Sequence, residues 1–259
     1  MKIKTQTVTK ISLVAFAIIA VSCLISLVFL LVGGIKDTIY ANKEQNNRQA
    51  ATKNVLGSTP DYGETYIDNM IFICDGTLSP IKDFGILKQE WQIFSGERGS
   101  LSLDYSIDTA TIVYSKTAES LSISEAIEKE LPQYVVITLG IDNGVGYCTE
   151  EKFTEYYQKL IDTVVEASPN TKIILQSIFP VSSSYQKVSD SIDNSKIDRA
   201  NAWIQKLADK NSLRYLDTAS CLKNDKGLLD SKYDSGDGLH LNSDGYTAVI
   251  NYIRTHGYK

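Results

Sequence analysis

Two stretches far apart in the chain, with a third between them, hold the residues able to do chemistry. Asp237-Gly238-Leu239-His240 sets a carboxylate three residues before an imidazole. At that spacing the carboxylate can hold one ring nitrogen and leave the other facing a substrate as a general base. The other histidine, His256, has no comparable neighbour and reads as a solvated side chain. In the second stretch, Met70-Ile71-Phe72-Ile73 runs into Cys74-Asp75-Gly76-Thr77, the pattern of a buried strand ending in a tight turn that opens a helix. The third, Thr138-Leu139-Gly140-Ile141-Asp142-Asn143-Gly144, ends another apolar run in a turn.

These turns need a scaffold that brings strand ends together. Strand and helix signals alternate from Met70 onward, which predicts an α/β fold: a three-layer sandwich with a central parallel sheet. Ala110 to Tyr114, Tyr134 to Leu139, Lys172 to Phe179 and Leu213 to Leu216 read as further strands, because β-branched apolar residues cluster between turn signals. Phe153, Tyr157, Leu160, Ile161 and Val164 recur at helical spacing over Glu150 to Ala167, and Ser168-Pro169-Asn170 ends that helix. Ile197, Ala200, Trp203, Ile204 and Leu207 mark a second, and Asn242-Ser243-Asp244 predicts the cap of a third. Trp91 to Asp108, with Gly96, Gly99 and Ser100, reads as a loop or short hairpin. In such folds ligands gather at the carboxyl ends of the strands, where all three chemical stretches fall.

In the turn at Ile71 to Leu78, in Thr138 to Gly144, and in Asp237-Gly238-Leu239-His240-Leu241-Asn242, taken in that order, the sequence resembles the SGNH (GDSL-like) hydrolases, and among them membrane-anchored bacterial members. The resemblance covers roughly Tyr66 to the C-terminus and implies a flavodoxin-like sheet, hydrolysis of O-acyl esters and no cofactor. It gives His240 the role of base, Asp237 that of its orienter, and Asp75 that of fixing the turn. A glycine of the family's second motif supplies an oxyanion donor; Gly96, Gly99 or neither could match it.

The resemblance also exposes two departures. The family's first motif is Gly-Asp-Ser with the serine as nucleophile, and the matching residues here are Cys74-Asp75-Gly76. Glycine has nothing to attack with. The family's oxyanion asparagine lies two residues after Gly140, where this chain has Asp142, with Asn143 following. A carboxylate there would repel an oxyanion, so either Asn143 takes over or the donor is lost. Thr77, or a water held by His240, is the remaining candidate for attack. The expectation is therefore a degenerate esterase that binds a cell-envelope glycan, an acylated small molecule or a protein partner; the alternative is an active ester hydrolase using the Asp237/His240 dyad with water or Thr77.

Composition bounds the rest. With 43% hydrophobic and 22% charged residues over 259 positions, one substantial globular core is expected. The formal net charge is -5, and Lys2, Lys4 and Lys10 all precede the apolar N-terminal run, so the remainder is more acidic still. That balance argues against nucleic acid as a partner. Ile11 to Val32 carries no charge and is long enough to cross a bilayer. Lysines on its N-terminal side place residues 1–10 in the cytoplasm, a transmembrane helix at 11–33, a polar stalk at 34–65 and an extracytoplasmic domain at 66–259. A cleaved signal peptide, or lipoprotein processing at Cys23, is the alternative. Cys74, Cys148 and Cys221 remain outside the span. With no CxxC, no zinc site is expected; Cys74 and Cys148 each follow a predicted strand and could approach one another, or stay separate thiols.

Overall fold

The reason β1 (Met70–Cys74) and β5 (Tyr134–Thr138) can lie at the centre of the sheet is that every residue of both is buried. A strand covered on both faces can spend all its side chains on apolar packing, and its β-branched residues suit the pleated backbone. In the computed structural model, which describes residues 54–258, β1 is flanked by β2 (Ile93–Phe94) and β5, followed by β6 (Lys172–Gln176) and β7 (Arg214–Leu216). The order β2-β1-β5-β6-β7 is parallel throughout.

Alternate residues face opposite layers. Ile71, Ile73, Val135, Ile137, Ile173 and Leu175 pack with α2 (Ile123–Glu130), α3 (Glu150–Ala167) and α5 (Asn194–Lys210). Met70, Phe72, Cys74, Val136, Ile174 and Leu216 pack with α1 (Glu64–Asp68), α6 (Ala219–Leu222) and α7 (Ser243–Arg254). Each fully buried aliphatic or aromatic side chain contributes about 1.5–3 kcal/mol. The period-2 switch between two apolar layers is what makes the sandwich. A short helix, α4 (Ser183–Val188), follows β6 and is capped by the Ser182 hydroxyl.

After β2 the chain crosses back over β1 to reach β5, so the direction of winding reverses between β1 and β5. That reversal leaves a crevice at their carboxyl ends. Asp75 and Gly76 follow β1 there, and Leu139 to Asp142 follow β5.

Within residues 66–258 the structure departs from expectation at three places. Ala110 to Tyr114 does supply a strand, but β3 (Thr111–Tyr114) pairs antiparallel with β4 (Glu119–Ser122) in a separate hairpin. Its alternating exposed and buried residues suit a ribbon with one solvated face. The Trp91 to Asp108 segment contains β2, an edge strand of two residues, too short to show a periodicity. The turn after β1 leads into a 3-10 turn, Ser79–Phe84, with Pro80 in its first positions, rather than an α-helix.

The expected cytoplasmic tail, the transmembrane helix at 11–33 and the stalk up to residue 53 lie outside the described residues. Among the described residues, no helix is long and apolar enough to cross a membrane. The remainder of the expected stalk is part of the domain. Val55 bridges to Tyr215, the Leu56 amide donates to the Tyr215 carbonyl at 2.8 Å, and the Leu56 side chain is only 6% exposed. Arg254 grips the Asp61 carboxylate through Nε and Nη2 at 2.8 and 2.6 Å. Polar residues mask a segment held by backbone pairing, the Leu56 side chain and the Asp61–Arg254 ion pair. A linker position would tolerate truncation, so Leu56→Ala separates the two descriptions: we expect a loss of about 2–5 kcal/mol, read as a lower urea midpoint in the full chain.

Candidate active site

Asp75 is 1% exposed and ties the two turns together. Its Oδ1 accepts from the Thr77 amide at 3.0 Å and the Thr77 hydroxyl at 2.6 Å, while Oδ2 accepts from the amides of Gly140 and Ile141, each at 3.0 Å. One carboxylate thus closes the β1 turn on itself and fastens it to the β5 turn. Burial pushes its pKa up to about 6, against the hydrogen bonds from Thr77 and Ile141 that favour the charged form. Gly140 is a glycine because its φ of 139° is open to few other residues and Phe153 and Ile178 crowd its Cα. Its N–H is committed to Asp75.

Gly76 comes next. Its amide donates to the Ser100 hydroxyl at 2.8 Å, and that hydroxyl in turn donates to Asp142 Oδ2. The loop before Ser100 is pinned by Gly99 N–H donating to the Gly96 carbonyl at 2.8 Å and by Ser79 donating to the Gly99 carbonyl. So the loop presents a serine hydroxyl to Gly76, and the Gly99 amide is spent inside the loop. Asp142, rather than Asn143, lies beside Gly76. Asn143 is exposed, with a left-handed φ of 63°, and its carbonyl accepts from the Cys148 thiol at 3.3 Å. Thr77 is 2% exposed with its hydroxyl held by Asp75, which leaves it no free path to a substrate.

The Asp237 loop forms the other wall. Asp237 Oδ2 meets His240 Nδ1 at 2.6 Å, and Oδ1 accepts from the amides of Leu239 and His240 at 2.9 and 2.8 Å. Burial raises the Asp237 pKa, but bonds from the His240 ring, the His240 amide and the Leu239 amide outweigh it and bring the group down to about 2. The carboxylate therefore stays charged, and fixes the ring, at any ordinary pH. Asp234 braces the loop through the amides of Gly236 and Gly238 at 2.8 and 2.9 Å. The loop is docked on α4 by Ser182 N–H donating to the Gly238 carbonyl at 2.8 Å.

Two tyrosines stand beside these loops, Tyr246 against the β1 turn and Tyr185 against Gly238. Tyr246, in α7, donates its phenol to the Thr77 carbonyl at 2.9 Å. Burial raises its pKa, and the Asp237 and Asp75 carboxylates raise it further. Tyr185 in α4 is raised by burial, then by Asp237, Tyr147 and Asp142. Sequence reasoning did not identify Tyr246, Tyr185 or Ser182 as site residues, nor Ser100 beyond its place in a loop. Asn242, by contrast, caps α7 through the Gly245 amide at 3.0 Å as its position predicts.

A sequence model of the GDSL-like Lipase/Acylhydrolase family matches residues 104–248, which take in both the β5 turn and the Asp237 loop. The chain belongs to that family. No curated protein matches the chain. Among solved structures, this acylhydrolase-family chain is similar to a Streptococcus pneumonia protein provisionally described as a platelet activating factor, at 18% identity and a TM-score of 0.50, over 86% of this chain and 96% of that one. A GDSL-like lipase from Bacteroides thetaiotaomicron gives 15% identity and a TM-score of 0.49, over 82% and 94%. The periplasmic domain of a lipopolysaccharide acetyltransferase from Salmonella ser. Paratyphi A gives 15% and 0.47, over 81% and 94%. The first of these likenesses supports the parallel α/β fold.

The matched region begins after Gly76 and Ser100. Among the described residues, no group of three or more His, Cys, Asp or Glu side chains is placed to hold a metal ion. Cys74, Cys148 and Cys221 are free thiols. Cys74 faces one apolar layer and Cys148 packs against the other, so the sheet separates the pair that strand order had brought near.

Asp75 yields a prediction with a definite sign. An unfolded aspartate titrates near pH 4, below the value of about 6 in the folded chain. Between the two the native state keeps a proton that the unfolded chain has released, so this group's contribution to stability falls as pH rises through that window. Asp75→Asn sets an amide N–H against backbone donors and should cost about 2–4 kcal/mol. The wild-type advantage in urea midpoint should narrow between about pH 4 and above pH 6.

Proposed function

We propose that this acylhydrolase-family chain is a membrane-anchored, extracytoplasmic protein that no longer cleaves esters and uses the retained site to bind an O-acylated cell-envelope glycan. Gly76 is the observation that carries this reading. It occupies the turn position of the family's nucleophile, and it is not there for backbone reasons. Its φ is not left-handed, and an added Cβ would meet nothing closer than the Ser100 hydroxyl at 3.6 Å. A serine would fit, so the bare position is a loss of chemistry and not a demand of the turn. Anchoring is supported by the uncharged run Ile11 to Val32 and the lysines ahead of it.

The intact Asp237–His240 pair favours a second reading, a hydrolase in which the ring activates water. Thr77 does not serve it, since its hydroxyl is buried and already donates to Asp75. Without a covalent intermediate the water route is the slower one.

Full-chain protein in detergent, assayed for p-nitrophenyl acetate cleavage, should match its His240→Ala variant within about twofold, against the 10²–10⁴-fold effect of a working general base. Cleavage by wild type that His240→Ala abolishes would establish the hydrolase instead. O-acetylated cell-wall glycan should co-sediment with wild type and less with His240→Ala.

A further inference from the structure

The bond chain from Gly76 N–H to Ser100 and on to Asp142 has a role that the missing nucleophile alone does not explain. An amide N–H on a turn at the carboxyl end of a central strand, facing a topological crevice, is a donor for an oxygen that gathers negative charge. Here that donor already holds an oxygen of the protein's own, the Ser100 hydroxyl at 2.8 Å. Ser100 is not free to swing away at no cost, because Asp142 Oδ2 accepts its proton. Asp142 is fixed in turn, its carbonyl accepting the Leu103 amide at 3.0 Å.

We infer that Ser100 and Asp142 form an internal plug, the Ser100 hydroxyl occupying on the Gly76 amide the place of a reacting carbonyl oxygen and the Asp142 carboxylate standing behind it. The inference rests on the proposed function, since it takes Gly76 as the former attacking position. It makes the silence of the site a property of three residues. An entering ester carbonyl would have to break the hydroxyl's bonds to both neighbours, and would then face a carboxylate where its developing charge needs a donor. A serine introduced at Gly76 would also be captured. Its Cβ would lie 3.6 Å from Ser100 Oγ and 3.9 Å from Asp142 Oδ2, so its hydroxyl would find acceptors there before it reached the His240 ring.

The test uses full-chain protein and p-nitrophenyl acetate. Gly76→Ser alone should stay within about threefold of wild type, whereas Gly76→Ser with Ser100→Ala and Asp142→Asn should exceed it by about 100-fold or more, the usual worth of an oxyanion donor. Adding His240→Ala to that triple variant should remove the gain. A single Gly76→Ser variant as fast as the triple, or a triple no faster than wild type, overturns the plug. A second measurement does not depend on restored chemistry. Exchange of the Gly76 amide with solvent deuterium should be about tenfold faster or more in Ser100→Ala than in wild type, with Gly140 and Ile141 unchanged. Unchanged protection at Gly76 also overturns the plug. Ester cleavage by wild type counts against the proposed loss of activity, while a sufficient single Gly76→Ser counts against the plug and leaves that proposal standing.

Discussion

The buried Asp75 carboxylate is the constraint from which the geometry of this site follows. It sits where two parallel strands part company and accepts four hydrogen bonds, two from its own turn and two from the turn after β5. Burying an ionisable group is costly unless its lone pairs are used, and here they are used to join segments 65 residues apart in sequence. Two neighbours at the crevice are placed by that junction: Gly76 is the next residue along one turn, and Asp142 is one beyond the last donor of the other. The Gly140 amide is consumed in building the frame and is not left for a ligand.

What the frame holds is separable from the frame itself. Asp75, Gly140 and Tyr246 keep the turn in shape with no help from a side chain at position 76. The dyad on the opposite wall is equally self-contained, since Asp237 gathers the His240 ring and two amides of its own loop. A site assembled from independent local motifs can therefore lose its attacking atom while the remaining geometry stays in place. In a site built this way binding and catalysis can rest on different residues, and a change in one need not erode the other.

Much of this was legible in the sequence, for identifiable reasons. β1 and β5 show as apolar β-branched runs because both their faces are covered, and α3, α5 and α7 show through their 3.6-residue period and their caps. The Asp237–His240 pairing was readable because it is local, three residues apart. Ser100 was not, because a serine after a glycine in a loop looks like any turn, and its partners lie 24 and 42 residues away. β2 is too short to carry a pattern. Residues 54–65 looked like a tether because polar composition dominates them, although backbone bonds to Tyr215 decide where they go.

The phenol of Tyr246 reaches the carbonyl of Thr77 across 169 positions of sequence, and that separation bears on how the protein is made. Closing so long a loop before any contact rewards it is entropically expensive, so such a pairing forms late. A growing polypeptide that has reached β6 possesses the first turn and its aspartate junction but only one wall of the crevice. The second wall arrives only with Asp234 to His240, and the helix that braces both follows directly after it. Until the chain has passed Asp237 and α7 has formed, the half-built crevice has nothing to close it from the far side.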